Sequence, residues 1–552
     1  MVPALAQIDL SGEWNPVFHE DQPERIPGPE IGDYLGLPIT DAARLRAAAW
    51  DADILTLPEH QCKPHPADYG PRGPFNLRIW KEVDTPTQQI VAWHTHGSWQ
   101  APERTIYMDG RPHPPEYAAH TWQGFSTGKW DGDILTITTT HLKIGWIRRN
   151  GIPRSDRAVL TEHWIRHGDH LTWVSIVNDP VYLTEPFVRS TDFEFDPRQQ
   201  IDPYPCEVVT EVPRPKGEVP NFLPGANPFL NEFAMKHSIP EKAARGGAET
   251  MYPGGRSIPA KLAAPVSVDD GEIHILPVQG DVYMLVGGGG NTTIQAGKDG
   301  VLVVDTKLAA QADKLVAAIR TISSKPIRYV INTSADTDQT GGNEKVADAG
   351  RTITGGNVAR FNAEFPATMV AHEKVASRMR EAGAPPASWP MDTYFTEGKD
   401  IYVNGEAVQV FHQPSAHSDG DSLVFFRRSD VVSTGDVFVP DRYPVIDVAK
   451  GGSINGELAA LNRLLDLTVP ADKQEGGTMV IPGHGRLCDE ADVVEYRDAM
   501  TIIRDRILDL VKKGQTLAQV KAAKPTQDFD PLYGSPDAFV EAAYRSLAAN
   551  KK

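Results

Sequence analysis

The second half of the chain places acids and imidazoles, the side chains that hold metal ions and move protons, at the ends of apolar runs. Asp305 closes "VLVVD", Asp336 and Asp338 follow "RYVIN", His417 follows "VFHQPSA", Asp436 follows "VVSTG", and His484 stands in "IPGHG". Loops at strand ends, held by a rigid sheet, are the usual seat of chemistry. Asp336 and Asp338 are two residues apart, a spacing that puts both on one face of extended backbone. They lie in "NTSADTDQTGGN" (332–343), which follows the apolar Tyr329-Val330-Ile331 and ends in a Gly-Gly-Asn turn.

Such loops need a sheet beneath them. From residue 271, strand-like runs ("VYMLVG", "GVLVVD", "IRYVIN", "AVQVFHQ", "SLVFFRR", "DVVSTGD", "TMVIPGHG") alternate with segments that are apolar at helical spacing. Those segments are "AAQADKLVAAIRTI", "VAHEKVASRMREAG" and "SINGELAALNRLLDLT", and the alternation predicts an α/β domain over 271–500. A helical tail over 501–552 follows it. Residues 1–213 read differently. There "RIWKEV", "QQIVAWHTHG", "RTIYMDG", "DILTITTTHL", "LTEHWIRHG" and "HLTWVSIV" are rich in β-branched and aromatic residues, with turns such as "WDGD" and "HGDH" between several of them. They predict a mainly β N-terminal domain, an antiparallel meander of which a lipocalin-like barrel is one form. The Pro/Gly-rich stretch 214–270 is expected to link the two, with a short helix in "LNEFAMKHSIPEKAA".

The order of "INTSADTDQTGGN", "HSDGD", "STGDVF" and "IPGHG" resembles the metallo-β-lactamase fold superfamily of metal-dependent hydrolases, over residues 272–500. The resemblance implies an αββα sandwich with its site along one edge. It also implies a first motif reading His-x-His-x-Asp-His ahead of Gly-Gly-Asn. Asp338 matches the motif aspartate, His417 the next histidine, Asp436 the bridging aspartate and His484 the last histidine. Ser334 and Asp336 stand at the first two histidine positions and Gln339 at the third. One metal pocket would then have Asp336, His417 and Asp436, with Ser334 a weak ligand at best. The other would have Asp338, Asp436 and His484, with Gln339 offering a carbonyl oxygen. Asp305 matches a frequent acid behind the ligands and is not one itself.

One or two divalent ions are implied. Zinc follows from the resemblance, while the oxygen-rich donor set moves preference toward Mn²⁺, Mg²⁺ or Ca²⁺. Three carboxylates brought that close repel one another unless a cation neutralises them. Asp336 adds an acid where a decayed site would lose them. The implied activity is hydrolysis of an ester, lactone, lactam or related bond by a metal-activated water, oriented by Asp338. The alternative is a non-catalytic binding protein on the same scaffold. Redox chemistry at iron would need a flavin or thiol partner for which the sequence shows no motif.

A net charge of −18 argues against nucleic acid or an anionic membrane as partner. No apolar run approaches the roughly 20 residues of a membrane span. A small-molecule substrate is the expected partner. The N-terminal domain is open to three roles: covering the site mouth, binding substrate, or forming a homo-oligomer. Ala4-Leu5-Ala6 before Gln7 fits the small-x-small pattern of a truncated signal-peptide site, which predicts a periplasmic or secreted protein; an ordinary N-terminal tail is the other reading. Cys62 and Cys206 are either one disulfide of an exported protein or two unrelated thiols, and Cys488 reads as a packed thiol. His60, Cys62 and His65, and the pair His94 and His96, lack further ligands at recognisable spacing, and His372 and His412 default to structural roles. Trp93, Trp122, Trp130, Trp164 and Trp173 are expected in the core. "VGGGGN" reads as a hairpin loop and "RRNGIPRSDR" as a solvated basic loop.

Overall fold

The strand Gly300–Val304 is buried at every residue, and it shows why the C-terminal half folds as it does. Leu302 and Val304 face one apolar cluster, whereas Val301 and Val303 face Leu315 and Ile319 of the helix Ala312–Ile322. A strand covered on both sides needs a continuous apolar run, which "VLVV" supplies. The computed structural model describes residues 8–18, 29–70, 75–98, 100–251, 270–352, 365–471 and 476–549. Ala4-Leu5-Ala6 and residues 252–269 of the expected linker lie outside them.

Seven strands, from His274–Pro277 to Asp392–Tyr394, form one sheet in chain order, and six, from Gly398–Val403 to Cys488–Asp489, form a second. Their facing sides bring Val304, Ile331 and Val370 against Val410, Val424, Phe426 and Ile481. The far side of the second sheet packs Leu423, Val432 and Val480 on the helices Ile454–Leu467 and Glu490–Lys512. The order of layers is helix, sheet, sheet, helix. The helix Glu490–Lys512 runs unbroken across residues 500 and 501, and "VGGGGN" joins the antiparallel strands Val282–Val286 and Thr292–Gly297.

In the N-terminal half nine strands, from Gly12–Val17 to Phe187–Phe195, close into a barrel. It is not a pure meander, because Ala101–Tyr107 and Phe125–Asp131 pair in parallel. Trp14, Trp93, Trp164, Trp173 and Phe193 fill the interior, while Trp122 and Trp130 are half-buried. The same interior buries an ion pair. Arg104 donates to both carboxylate oxygens of Glu162, to Ser126 Oγ at 3.0 Å and to Thr139 Oγ1 at 2.7 Å.

The stretch "RRNGIPRSDR" is not the solvated loop expected of it. Gly145–Arg148 and Ile152–Arg154 form a two-stranded hairpin. Arg154 is buried with Asp68 at 3.2 Å, Arg148 is buried with Asp33 at 3.5 Å, and Asn150 donates to the Glu30 and Asp33 carbonyls. Each arginine takes a carboxylate with it, which is what allows a guanidinium to leave water.

The two halves share one apolar core, in which Tyr34, Leu142, Ile147 and Tyr182 join Phe438, Tyr496, Phe529 and Tyr533. Ion pairs cross the same seam: Lys143 reaches Asp489 and Asp492 at 2.8 and 2.9 Å, and His60 meets Asp498 at 2.6 Å. Cys62 and Cys206 form a disulfide across a separation of 144 residues. Eight of the nine barrel strands lie between them, leaving only Gly12–Val17 outside. Among the described residues no helix is long and apolar enough to cross a membrane.

Candidate metal centre

The loop after the strand Ile327–Ile331 is tied down before it reaches the acids. Asp305, ending the neighbouring strand, accepts the Thr333 N–H on Oδ1 at 2.8 Å and the Thr333 hydroxyl on Oδ2 at 2.6 Å. Asn332 and Asn343 exchange side-chain amide bonds at 2.9 and 2.8 Å, drawing the Gly-Gly-Asn turn back onto the strand. Gly342 approaches Thr306 so closely that a Cβ would lie 2.3 Å from its carbonyl oxygen, so only glycine fits. A single helical turn, Thr337–Thr340, then starts at Asp336. Ser334 accepts the Asp336 N–H at 3.2 Å just ahead of this turn.

Asp336, His417 and Asp436 converge, with one ligand atom from each lying within 4.8 Å of the other two. Asp336 Oδ2 faces His417 Nε2 at 2.7 Å, and Oδ1 accepts from Lys450 Nζ at 3.4 Å. The His417 bond, helped by the charge on Lys450, holds Asp336 down at about 2 despite its burial. Burial opposes charge on His417, yet the bond to Asp336 and the fields of Asp421 and Asp436 push it up to about 11. Its Nδ1 donates to the Val445 carbonyl at 2.5 Å, which fixes the ring. Lys450 also reaches Asp447 at 3.2 Å, and the Asp447 N–H is bonded to the His417 carbonyl at 2.8 Å. Lysine and histidine loops are thereby one unit.

The second group sits on the other side of Asp436. Asp338 Oδ2 lies 2.9 Å from His484 Nε2, a bond that lowers the carboxyl, and His484 Nε2 lies 3.6 Å from Asp436 Oδ1. Gly483 leaves room for that approach, since a Cβ there would stand 2.8 Å from Asp436 Oδ1. Gln339 presents its amide nitrogen to the same oxygen at 3.1 Å, and its Oε1 is buried with no hydrogen-bond partner. The carbonyl oxygen anticipated as a weak ligand is therefore turned away from Asp436.

Further acid surrounds these groups. Burial raises Asp305 and Glu457 well above the usual carboxylate value, raises Asp436 as well, and brings Asp421 to about 7. Neither Glu457 oxygen has a hydrogen-bond partner. A preformed set of two carboxylates and one oriented imidazole, within a surplus of buried acid, fits a divalent cation.

Residues 285–484 match the family described as the Metallo-beta-lactamase superfamily. These residues form a metallo-beta-lactamase superfamily domain. Solved structures with this fold include a metallo-beta-lactamase from Pontibacter korlensis, 16% identical, with a TM-score of 0.33 over 42% of this chain and 99% of that one. Another is the stereoselective inverting sec-alkylsulfatase Pisa1 from Pseudomonas sp., 17% identical, TM-score 0.40, with half of each chain covered. A third is the DIM-1 metallo-beta-lactamase, 16% identical, TM-score 0.32, over 42% of this chain and 97% of that one. No curated protein sequence matches the chain. Members of the superfamily are metal-dependent hydrolases, and here the acids and imidazoles follow the strands Ile327–Ile331, Glu406–Gln413, Val431–Ser433 and Met479–Ile481.

The other candidates from the sequence are engaged elsewhere. His60 pairs with Asp498, His94 lies between Glu82 and Glu103, His372 stacks on His412 at 3.6 Å, and Cys488 is a buried thiol. Three groups beside the candidate centre had no motif to announce them. Lys450 lies 114 residues from the acid it meets. Glu457 reads as one polar position of an amphipathic helix. Lys307 is fully buried, gives its ammonium to the Leu285 and Gly290 carbonyls at 3.0 and 2.5 Å, and is brought down to about 7 by burial.

Proposed function

We propose that the C-terminal domain is a metal-dependent hydrolase that opens an ester, lactone, lactam or related bond of a small molecule. The convergence of Asp336, His417 and Asp436 is the observation that most supports this reading. A divalent ion held there would supply a water of lowered pKa and polarise the substrate oxygen. Zinc suits the imidazole and carboxylates, and manganese suits their oxygen-rich balance. Asp338, kept ionised by its bond to His484, orients the attacking water and takes its proton. As the water oxygen bonds to the acyl carbon, the bond to the leaving group breaks and that proton passes to the leaving atom. The Val445 carbonyl holds the His417 ring so that Nε2 faces the centre. The Cys62–Cys206 bridge supports an exported protein, since such bonds persist in oxidising compartments.

Elemental mass spectrometry on protein purified without chelator, beside Asp436→Ala, tests the reading. We expect bound metal and hydrolysis of a panel of esters, lactones and lactams in the parent, with both lost in a folded variant. Absence of metal after incubation with Zn²⁺ and Mn²⁺ removes the hydrolase reading. It leaves a non-catalytic binding scaffold, which the neutralisation of Asp336 by His417 and Lys450 without any ion favours.

A further inference from the structure

The two sides of Asp436 are built differently. On the first, the three ligand atoms already converge, with the His417 ring fixed through Nδ1 by Val445 and its Nε2 facing Asp336 Oδ2 at 2.7 Å. On the second, the carboxylate and imidazole pair as on the first, but an amide hydrogen also stands among them. Asp338 bonds His484 at 2.9 Å, and the Gln339 amide N–H occupies Asp436 Oδ1 at 3.1 Å. The amide atom that faces the Asp436 carboxyl is the nitrogen, a donor. Gln339 thus brings a donor to the place where the family pattern brings a histidine lone pair.

Gln339 is packed in place. The side chain is fully buried over Gly290, where a Cβ would stand 3.1 Å from Nε2 and 3.2 Å from Oε1. Turning the amide over would set its oxygen against Asp436 Oδ1, acceptor against acceptor.

We propose that Gln339 closes the second metal subsite, so that the centre holds a single divalent ion on Asp336, His417 and Asp436. Asp338 and His484 are then not ligands but partners of one another, His484 holding the Asp338 carboxylate in place. The proposal rests on the metallo-hydrolase reading above and refines it.

The test is metal loading, read by elemental mass spectrometry after incubation with Zn²⁺ and removal of unbound ion, with each variant checked for a cooperative melt. The parent takes up about one equivalent, as do His484→Ala and Asp338→Asn, while Asp336→Asn takes up none. Gln339→His and Gln339→Glu replace the N–H with lone pairs, and each rises to about two equivalents. Two equivalents in the parent, or an ion lost in His484→Ala but kept in Asp336→Asn, overturns the proposal and leaves the hydrolase reading standing. Folded Gln339→His and Gln339→Glu that stay at about one equivalent overturn the role given to Gln339. No ion in any protein removes both readings.

Discussion

The barrel interior and the edge of the sandwich both bury charge, in opposite ways. Inside the barrel, Arg104 and Glu162 are matched one to one, and Ser126 and Thr139 take up further guanidinium hydrogens. At the sandwich edge, Asp336, Asp338 and Asp436 share two imidazoles and one half-exposed lysine, with Asp305, Asp421 and Glu457 behind them. Closed charge acts as scaffold, because nothing further is gained by adding a ligand. Acid gathered in excess of its partners is what the proposed cation would offset.

The largest effect expected from breaking this contrast is at Asp436, the group common to both sides of the centre. Asp436→Ala should lower hydrolysis by more than about 100-fold, since even the partners of ligands typically cost 10–100-fold. Turnover beside metal content checks it. Next comes the barrel. Glu162→Ala strands a buried guanidinium and should cost about 3–5 kcal/mol of stability. Denaturant titration reads that cost, while hydrolysis per folded molecule should stay unchanged. If Glu162→Ala abolished activity in folded protein, the division between scaffold charge and working charge would be wrong.

The seam between the halves offers an intermediate case. Burial alone would raise Asp498, but Arg497 and His60 hold it at about 2 against an ordinary value of 3.8. A depressed carboxyl stabilises the fold above the unfolded value, and that contribution is lost as pH falls through the folded one. About 2 kcal/mol should therefore disappear between pH 3.8 and 2. In Asp498→Asn the stability measured over that window should be flatter than in the parent. The smallest effect is at Lys450. Removing its ammonium in Lys450→Met should tighten divalent-ion binding by roughly three- to tenfold, and the gain should shrink as salt is added. Calorimetric titration at two ionic strengths measures it.

Much of the fold was legible because burial on two faces leaves a plain mark. Strands such as Gly300–Val304 and Ile327–Ile331 are continuous apolar runs, and the helices between them keep their apolar spacing. Barrel strands such as Val159–His167 and His170–Asn178 alternate cleanly. Phe125–Asp131 and Phe187–Phe195 carry no such mark, since "FSTGKWD" and "FVRSTDFEF" put glycine or charge at several positions; the first pairs with the adjacent Ile134–Thr140 and the second with both His170–Asn178 and the distant Gly12–Val17. The parallel pair in the barrel was hidden for the same reason. The acids and imidazoles of the centre stood out by type and position. What did not was their engagement: which atom of Gln339 faces Asp436, and that Lys450 returns across 114 residues to Asp336. These depend on loop packing, which no local pattern encodes. Buried arginines in the hairpin Gly145–Arg148/Ile152–Arg154 were equally opaque, because their carboxylate partners lie in another segment.

The Cys62–Cys206 bond has a mechanical consequence. A load applied at the two ends of the chain bypasses the 144-residue loop between those cysteines, and eight barrel strands with it. In a single-molecule pulling record about 500 Å of contour would stay hidden while the bond is intact. Reduction would release that length, and the barrel would then bear tension that only the strand Gly12–Val17 bears directly in the oxidised chain.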